Sequence, residues 1–273
     1  MLKNRLLNTK LTEDQIAFFY LGQEGFLLMY QNTYILIDPY LSDYVDRNCS
    51  TDSLQWKRNY APPISPSSLD FIDYVFCTHD HYDHMDPDTL DAIYKVNQNT
   101  KFIIPAGSYS SMEAIGIPSS NLILASAETT LDFLNFRVTP LASAHEELSV
   151  DHEGNYLHLG YRFSFGSCSV YHAGDCCVYD GLSDSLKGTD ILMLPINGRG
   201  YYKLKEDIIG NMSFEEALLL SKEAGVQMII PMHFDLYQVN GLNPSYFVDL
   251  LYREFSYLSF HIFSVGEKYV YSP

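Results

Sequence analysis

The sequence of 273 residues predicts an α/β fold in which two β-sheets pack together with helices on the outside. Short runs of β-branched and aromatic residues form two groups along the chain, and helical patterns are interleaved with both groups. This alternation is typical of layered α/β domains. Because no obvious linker interrupts the pattern, we predict a single domain over residues 1–273.

The first group of strands begins with three runs, "IAFFYLG", "GFLLMY" and "TYILIDP", which are separated by turns that contain Gly or Asn. They predict a three-stranded meander. A polar stretch with several prolines follows over residues 41–69, and we predict a long loop there. Loops of this length in compact domains tend to be functional or mobile.

The remaining elements alternate in type. We predict strands in "DYVFCT", "KFIIP", "NLILA", "TLDFLNFRVTPL", "YLHLGYRFSF", "CSVYHAG", "DILMLPI", "VQMIIPMH" and "SFHIFSV", and helices in "PDTLDAIYKVNQ", "SYSSMEAIG" and "PSYFVDLLYREF". A further helix, "SFEEALLLSKEAG", carries Ser213 as its N-cap, Glu216 three residues later and Gly225 as its terminator. This is the pattern of a capping box.

The charge of the chain limits its partners. Seventeen basic residues face 34 acidic ones, so the formal net charge is −17. Such a surface repels nucleic acid and anionic membranes, and we expect neither as a partner. The five irregularly spaced cysteines favour reduced thiols. With no apolar signal segment and no membrane span in the sequence, we predict a cytoplasmic protein.

The segment "THDHYDH" follows the apolar run "VFC" directly. His79 and His81 are two residues apart, so both imidazoles point to the same side of an extended segment. Asp83 and His84 follow after a bend. Imidazole and carboxylate are common ligands of divalent metals, which predicts a metal site. The alternative is an exposed polar turn that is rich in histidine, and four ligand-type residues in six positions argue against it.

Three distant residues repeat this placement. His145, Asp175 and His233 each come at the end of an apolar strand, where functional loops tend to lie. The recurrence predicts that they meet the histidine cluster at one metal site.

In motif order the chain resembles the metallo-β-lactamase superfamily. The segments "FFYLGQEGFLL", "THDHYDHMDP", "VYHAGDCCVYDGL", "NGRG" and "IIPMHFDLY" are similar to its L-ascorbate-6-phosphate lactonase-like branch of metal-dependent hydrolases. The resemblance implies a four-layer αββα sandwich, with two mixed sheets flanked by helices and a metal site between the sheet edges.

The resemblance also implies a ligand set and a cofactor. In it, one metal is held by His79, His81 and His145, a second by Asp83, His84 and His233, and Asp175 bridges the two. We expect one or two divalent ions per chain, Mn²⁺ or Zn²⁺. A divalent ion lowers the pKa of bound water toward about 7. Asp83 is also the expected general acid/base.

Two further residues are candidates for supporting roles. His172 precedes Asp175 closely enough to orient a ligand, although an ordinary buried histidine is the alternative. Arg199 matches the arginine of a similar "NPRG" segment in the lactonase-like branch and is the candidate anchor for an anionic substrate. A solvated loop is the alternative there. We expect His158 and His261 to be ordinary core or surface residues and His152 to be exposed.

The predicted function is therefore a metal-dependent hydrolase that acts on a small anionic ester or lactone. A sugar-phosphate lactone such as L-ascorbate 6-phosphate is the best candidate. A small-molecule phosphodiesterase or an RNA-processing nuclease of the same fold is the alternative, and the net charge argues against the nuclease. A non-catalytic metal-binding protein is a second alternative. Relatives commonly assemble, so a homo-oligomer is compatible with the sequence.

Overall fold

The computed structural model describes residues 2–273, which form two seven-stranded sheets. The first sheet has the order β14-β1-β2-β3-β4-β5-β6. Its strands are β1 (Ile16–Gly22), β2 (Gly25–Tyr30), β3 (Thr33–Ile37), β4 (Tyr74–Phe76), β5 (Lys101–Pro105), β6 (Leu122–Ala125) and β14 (Lys268–Tyr271). The second has the order β13-β12-β11-β10-β9-β8-β7. Its strands are β7 (Leu131–Asp132), β8 (Arg137–Ala142), β9 (Leu159–Phe165), β10 (Cys168–His172), β11 (Ile191–Pro195), β12 (Met228–Met232) and β13 (Ser259–Phe260).

Eight α-helices are found in this described part of the chain. They are α1 (Leu2–Leu7), α2 (Tyr44–Asn48), α3 (Pro87–Val96), α4 (Tyr109–Ile115), α5 (Leu182–Ser185), α6 (Tyr201–Lys205), α7 (Phe214–Ala224) and α8 (Ser245–Glu254). The capping box of α7 forms as predicted, and the helix ends at Gly225 in the left-handed conformation. Here the local sequence alone determines where the helix begins and ends.

Both sheets are mixed. In the first, β14, β1, β2 and β3 are antiparallel neighbours, whereas β3 to β6 run parallel. In the second, β7 to β10 are antiparallel and β10 to β13 are parallel. Parallel neighbours need crossover connections, and the helices α3, α4 and α7 lie within those connections.

The sheets pack face to face through an apolar core that includes Phe18, Phe76 and Phe163. The other face of the first sheet packs against α1, α3 and α4, and the second sheet packs against α5, α7 and α8. Every residue of β1 is buried, with Phe18 in the core between the sheets and Phe19 under the helices. A strand covered on both faces reads as a continuous apolar run. These layers confirm the predicted αββα sandwich.

Short elements are where the structure departs from the sequence-based expectation. Residues 41–69 are not wholly irregular, because α2 and a single 3₁₀ turn (Pro66–Ser68) lie within them. Arg58 fastens this segment by donating to the carbonyls of Ser42 and Tyr40. The sequence pattern does not predict the helices α1, α5 and α6 or the edge strand β14. Each has at most six residues, too few for a clear periodic pattern.

All five cysteines are free thiols, as predicted. In the described chain, none of the helices combines the length and the apolar character that a bilayer crossing requires.

Candidate metal centre

The seven predicted ligands lie together, although they come from four separate parts of the chain. Each of these parts follows the end of a strand. The "THDHYDH" segment follows β4, and the three single residues His145, Asp175 and His233 follow β8, β10 and β12. Both sheets therefore contribute ligands along one edge of the sandwich.

The first group of ligand atoms belongs to His79, His81, His145 and Asp175, and all of these atoms lie within 4.8 Å of one another. Nε2 of His145 is 3.2 Å from Nδ1 of His81 and 3.4 Å from Oδ2 of Asp175. Nε2 of His79 lies 4.0 Å from the same carboxylate oxygen. The structure thus brings together the residues that the resemblance assigned to the first metal, and their role as ligands stays a prediction.

The second group comprises Asp83, His84 and His233, whose ligand atoms also lie within 4.8 Å of one another. Nε2 of His233 is 3.7 Å from Oδ2 of Asp83 and 3.2 Å from Oδ1 of Asp175. Nε2 of His84 is 3.6 Å from that Oδ1. Asp175 therefore faces the first group with Oδ2 and the second group with Oδ1, which is the placement required of a bridging ligand.

Asp38 determines the orientation of one histidine in each group. Its Oδ2 contacts Nδ1 of His84 at 2.9 Å and accepts the hydroxyl proton of Thr78 at 2.7 Å. The Thr78 oxygen is then free to accept from Nδ1 of His79, 3.0 Å away. With Nδ1 protonated, Nε2 of His79 carries a lone pair, and Nε2 of His84 would carry one when a metal ion displaces its proton. Carboxylate–histidine contacts of this kind orient metal ligands.

The pKa directions indicate a site that favours a cation. Burial lowers the pKa of His79 well below its ordinary value and lowers the pKa of His145 to about 3, so both are neutral ligands. Burial acts in the same direction on His84, but the carboxylates of Asp175, Asp83 and Asp38 outweigh it and raise the pKa of His84 well above its ordinary value. Three carboxylates around one imidazole thus concentrate negative charge there.

The chemistry of these donors fits a divalent metal. The Nε2 atoms of His79 and His84 are buried and have no hydrogen-bond partner within residues 2–273. Both belong to the ligand groups described above, which contain only imidazole and carboxylate donors. Such donors suit borderline divalent ions such as zinc and manganese. The residues therefore fit one ion in each group, with Asp175 shared.

Backbone geometry at Gly174 directs Asp175 into the site. Gly174 has φ of +61°, and a Cβ atom there would lie 2.6 Å from Cβ of Thr78. Only glycine combines that conformation with that close approach. Asn211 then donates to Oδ1 of Asp175 at 2.9 Å, and Ser143 donates to the backbone carbonyl of Asp175 at 2.8 Å. The turn at Gly174 and these two hydrogen bonds thus hold Asp175 in its position between the two ligand groups.

Sequence analysis missed three buried polar residues beside the ligands. Gln23 donates to Oδ2 of Asp83 at 2.8 Å, and its Nε2 lies 3.1 Å from Nε2 of His233. Glu24 is fully buried, and its carboxylate makes no hydrogen bond in the described structure. Asp38 is the third. The sequence does indicate these three residues, because "GQEG" and the Asp of "TYILIDP" place polar side chains between apolar runs.

Four histidines lie outside the predicted ligand set, and one of them, His261, contacts Glu267 at 2.9 Å. His172 does not contact a ligand side chain. It bonds the carbonyl of Glu24 at 2.9 Å and accepts from the backbone N–H of Gly174, so it supports the turn before Asp175. Our expectation for His158 needs correction, because its ring packs 5.1 Å from the ring of His79 and its pKa is lowered by burial to about 4. His152 is exposed, as expected.

The guanidinium group of Arg199 is engaged by other groups of the protein. It donates to both carboxylate oxygens of Glu216, at 2.9 and 2.6 Å, and also contacts Sγ of Cys177 at 3.4 Å. Glu216 in turn belongs to the capping box of α7. The structure thus gives Arg199 a structural partner, and its predicted contact with a substrate stays a prediction.

A cavity of about 730 Å³ opens above the ligands. Its floor includes His81, Asp83, His145, Asp175 and His233. The volume is within the range of small-molecule sites, roughly 300–1,000 Å³. Its walls come from α2, the segment that contains Trp56, the "THDHYDH" loop, α4 and residues 207–209. The segment 41–69 therefore forms part of this site.

The family follows from comparison with known proteins. A model described as "Beta-lactamase superfamily domain" matches residues 33–234, about three quarters of the chain. The chain belongs to the beta-lactamase superfamily. The match includes every predicted metal ligand. It confirms the superfamily that the motif order indicated, whereas the lactonase-like branch stays a prediction.

Relatives within the beta-lactamase superfamily are distant. An uncharacterized protein of Mycobacterium tuberculosis is 25% identical over 233 residues, which are 83% of this chain and 60% of the relative. This chain therefore spans less than two thirds of that protein. A metal-dependent hydrolase of Sulfolobus acidocaldarius is 25% identical over 239 residues, covering 84% of this chain and 88% of the relative. An isothiocyanate hydrolase from Delia radicum gut bacteria has the same fold, with a TM-score of 0.76, 19% identity and coverage of 94% and 100%.

Proposed function

We propose that the protein is a metal-dependent hydrolase that cleaves a small ester or lactone. One observation carries the proposal, namely that the two oxygens of Asp175 face two separate groups of imidazole and carboxylate donors at the base of a cavity. The name of the Sulfolobus relative, a metal-dependent hydrolase, agrees with this proposal.

The residues that would hold the metal are the seven predicted ligands: His79, His81, His145, Asp83, His84, His233 and Asp175. A divalent ion, when bound, polarises a carbonyl group and lowers the pKa of water so that hydroxide is available near neutral pH. The protein contributes the orientation of its ligands, through Asp38 and Thr78, and a confined cavity for the substrate.

Asp83 is the proposed acid/base. Its carboxylate lines the cavity, and Gln23 holds it through a hydrogen bond of 2.8 Å. Burial and the neighbouring Asp175 would raise the pKa of Asp83, but His84, His233 and His81 together outweigh them and lower the pKa, so the carboxylate can accept a proton. In the reaction the oxygen of water bonds to the acyl carbon and the acyl–oxygen bond breaks. Asp83 accepts the proton of water and returns it to the departing alkoxide.

The predicted phosphate on the substrate finds no support in the cavity. Within residues 2–273, the lining includes neither Lys nor Arg. A phosphate bound away from the metal would need such a partner, since arginine and lysine are its usual donors. The proposal therefore keeps the ester or lactone and does not include L-ascorbate 6-phosphate.

Elemental analysis combined with a substrate panel tests this function. The protein is purified without chelators, and its metal content per chain is measured. Hydrolysis of uncharged aryl esters, γ-lactones and an aryl phosphodiester is then compared before and after chelation. Chelator-sensitive cleavage of an ester or lactone is expected. Cleavage of the phosphodiester alone would instead favour the phosphodiesterase alternative. A fully metallated protein that cleaves nothing would favour the non-catalytic alternative.

A further inference from the structure

The walls of the cavity are largely apolar. The side chains above the ligands include Val45, Trp56, Ile115, Ile208 and Ile209. Ile209 lines the cavity and is 41% exposed, so its side chain is accessible to a ligand. The rings of Tyr44 and Tyr82 pack in a tilted arrangement with a centroid distance of 4.8 Å, and both line the cavity. An apolar group of a ligand would bury itself against this wall.

Two arginines of the segment 41–69, which forms part of this wall, are occupied elsewhere. Arg47, on α2, pairs with Asp43 and Asp88. Arg58 is bonded to backbone carbonyls and packs on the Tyr40 ring. Releasing either guanidinium group for a ligand would break bonds that hold residues 41–69 in place.

The same is true on the other side of the cavity. Arg199 is paired with Glu216. Lys203 donates to the carbonyls of Asn197 and Gly198, at 2.7 and 2.9 Å. Neither side chain lines the cavity. Among the residues that line the cavity, an anion would therefore meet no positively charged side chain.

Acidic side chains lie among the lining residues. Asp80 and Asp207 line the cavity in addition to the ligand carboxylates of Asp83 and Asp175. Asp80 accepts a hydrogen bond from Ser111, 2.7 Å away, and Asp207 is exposed at the rim. The whole chain adds to this potential with its net charge of −17. A cleft lined by one sign of charge repels ligands of the same sign.

We propose that the cavity selects an uncharged acyl compound that carries an apolar group and discriminates against anionic substrates. This inference rests on the proposed hydrolase function and names its substrate class. The acyl carbonyl lies at the ligand floor, and the apolar group lies against Trp56, Ile115 and Ile209.

Binding can be measured without turnover, because Trp56 is the single tryptophan of the chain and lines the cavity. Two N-hexyl acetamides serve as slowly cleaved probes, one ending in a methyl group and the other in a phosphate. Titration of the metal-loaded protein is followed by tryptophan fluorescence. We expect the methyl-ended probe to bind at least about tenfold more tightly. Equal or tighter binding of the phosphate-ended probe would overturn the inference.

Kinetics provide the second measurement. The two matching acetate esters of six-carbon alcohols, methyl-ended and phosphate-ended, are compared by kcat/KM. The methyl-ended ester is expected to be the better substrate by about tenfold or more. If neither ester is cleaved but the methyl-ended amide still binds preferentially, the proposed hydrolase function is wrong, whereas the proposed ligand preference of the cavity is supported. If both esters are cleaved equally well, the hydrolase function stands and the selectivity fails.

A matched pair of variants tests whether the wall determines this preference. Ile209→Lys places a cation in the cavity wall, whereas Leu204→Lys makes the same change at an exposed residue of α6 outside the cavity. Ile209→Lys should raise kcat/KM for the phosphate-ended ester relative to the methyl-ended one, by about fivefold or more. Leu204→Lys should leave that ratio unchanged. An equal response of the two variants would mean that overall charge, and not the cavity wall, governs selectivity.

Discussion

Oδ1 of Asp175 lies 3.2 Å from Nε2 of His233, while the other oxygen of the same carboxylate lies 3.4 Å from Nε2 of His145. One residue thus faces both groups of donors. His233 belongs to the second sheet through β12, and it meets Asp83 and His84 from the first sheet at this point. The geometry connects the two halves of the site through a single carboxylate.

We expect Asp175→Ala to reduce the bound metal at both positions, whereas His145→Ala should affect mainly the first. The reason is that Asp175 contributes to both groups and His145 to one. Metal per chain is measured by elemental analysis after dialysis against a weak chelator. His152→Ala, which changes an exposed histidine, is the control. Full metal content in Asp175→Ala would rule out a bridging role.

Asp38→Asn should weaken metal binding by about 10–100-fold although Asp38 is not among the predicted ligands. The Thr78 hydroxyl and His84 both contact Oδ2 of Asp38, and the backbone N–H of Thr78 donates to Oδ1, so the amide nitrogen of asparagine leaves at least one of these donors unmatched in either orientation. We also expect a loss of about 1–3 kcal/mol in the free energy of unfolding. Asp73→Asn is the control, because Asp73 only accepts from the backbone of Tyr34. Unchanged metal affinity in Asp38→Asn would contradict the orienting role.

Gly174→Ala should displace Asp175 and lower metal affinity together with stability. The new Cβ would meet Thr78 at 2.6 Å, and the backbone there has φ of +61°. Gly154→Ala is a matched control, since Gly154 also has positive φ, +86°, but nothing lies within 4 Å of its added Cβ. The control should cost only the backbone strain, about 1 kcal/mol. Equal metal loss in the two variants would show that contact with Thr78 does not matter.

Lys203 gives a pH-dependent contribution to stability. Burial lowers the pKa of Lys203 from 10.5 to about 8. Between these values the unfolded chain binds more protons, so the free energy of unfolding rises with pH. Compared with Lys203→Met, the wild-type protein should gain on the order of 2 kcal/mol from pH 8 to 10.5, since partial exposure reduces the full effect. Urea denaturation at each pH measures the difference. A constant difference would contradict the lowered pKa.

Arg199→Ala separates the predicted substrate anchor from the structural partner seen here. Because the guanidinium group is paired with Glu216 at the start of α7, we expect a loss of about 0.5–1 kcal/mol in stability. KM should not change for the uncharged ester or for the phosphate-ended ester, which carries the anion that Arg199 was predicted to bind. Thermal unfolding and steady-state kinetics give the two values. A rise in KM with unchanged stability would instead support the substrate contact predicted from "NGRG".

Much of the centre could be predicted from residue types and their placement. The seven ligands stand out because imidazole and carboxylate groups follow apolar strands, where a buried polar cluster requires a reason. The meander β1–β3 and the capping box of α7 were predicted correctly because their signals lie within a few residues of each other. Local patterns of this kind depend only on neighbouring side chains.

Other features depended on the tertiary structure. Asp38 contacts His84, which lies 46 residues away in the sequence, and Glu216 pairs with Arg199, which lies 17 residues away. No local pattern encodes such pairs, because they arise only where strand ends from two sheets meet. The charge of the cavity wall has the same origin, since its residues come from separate loops and helices. The amino-acid sequence by itself determined the donor atoms of the candidate metal site. The packing of the sheets decided which side chains surround those donors, because proximity between distant segments is a property of the fold.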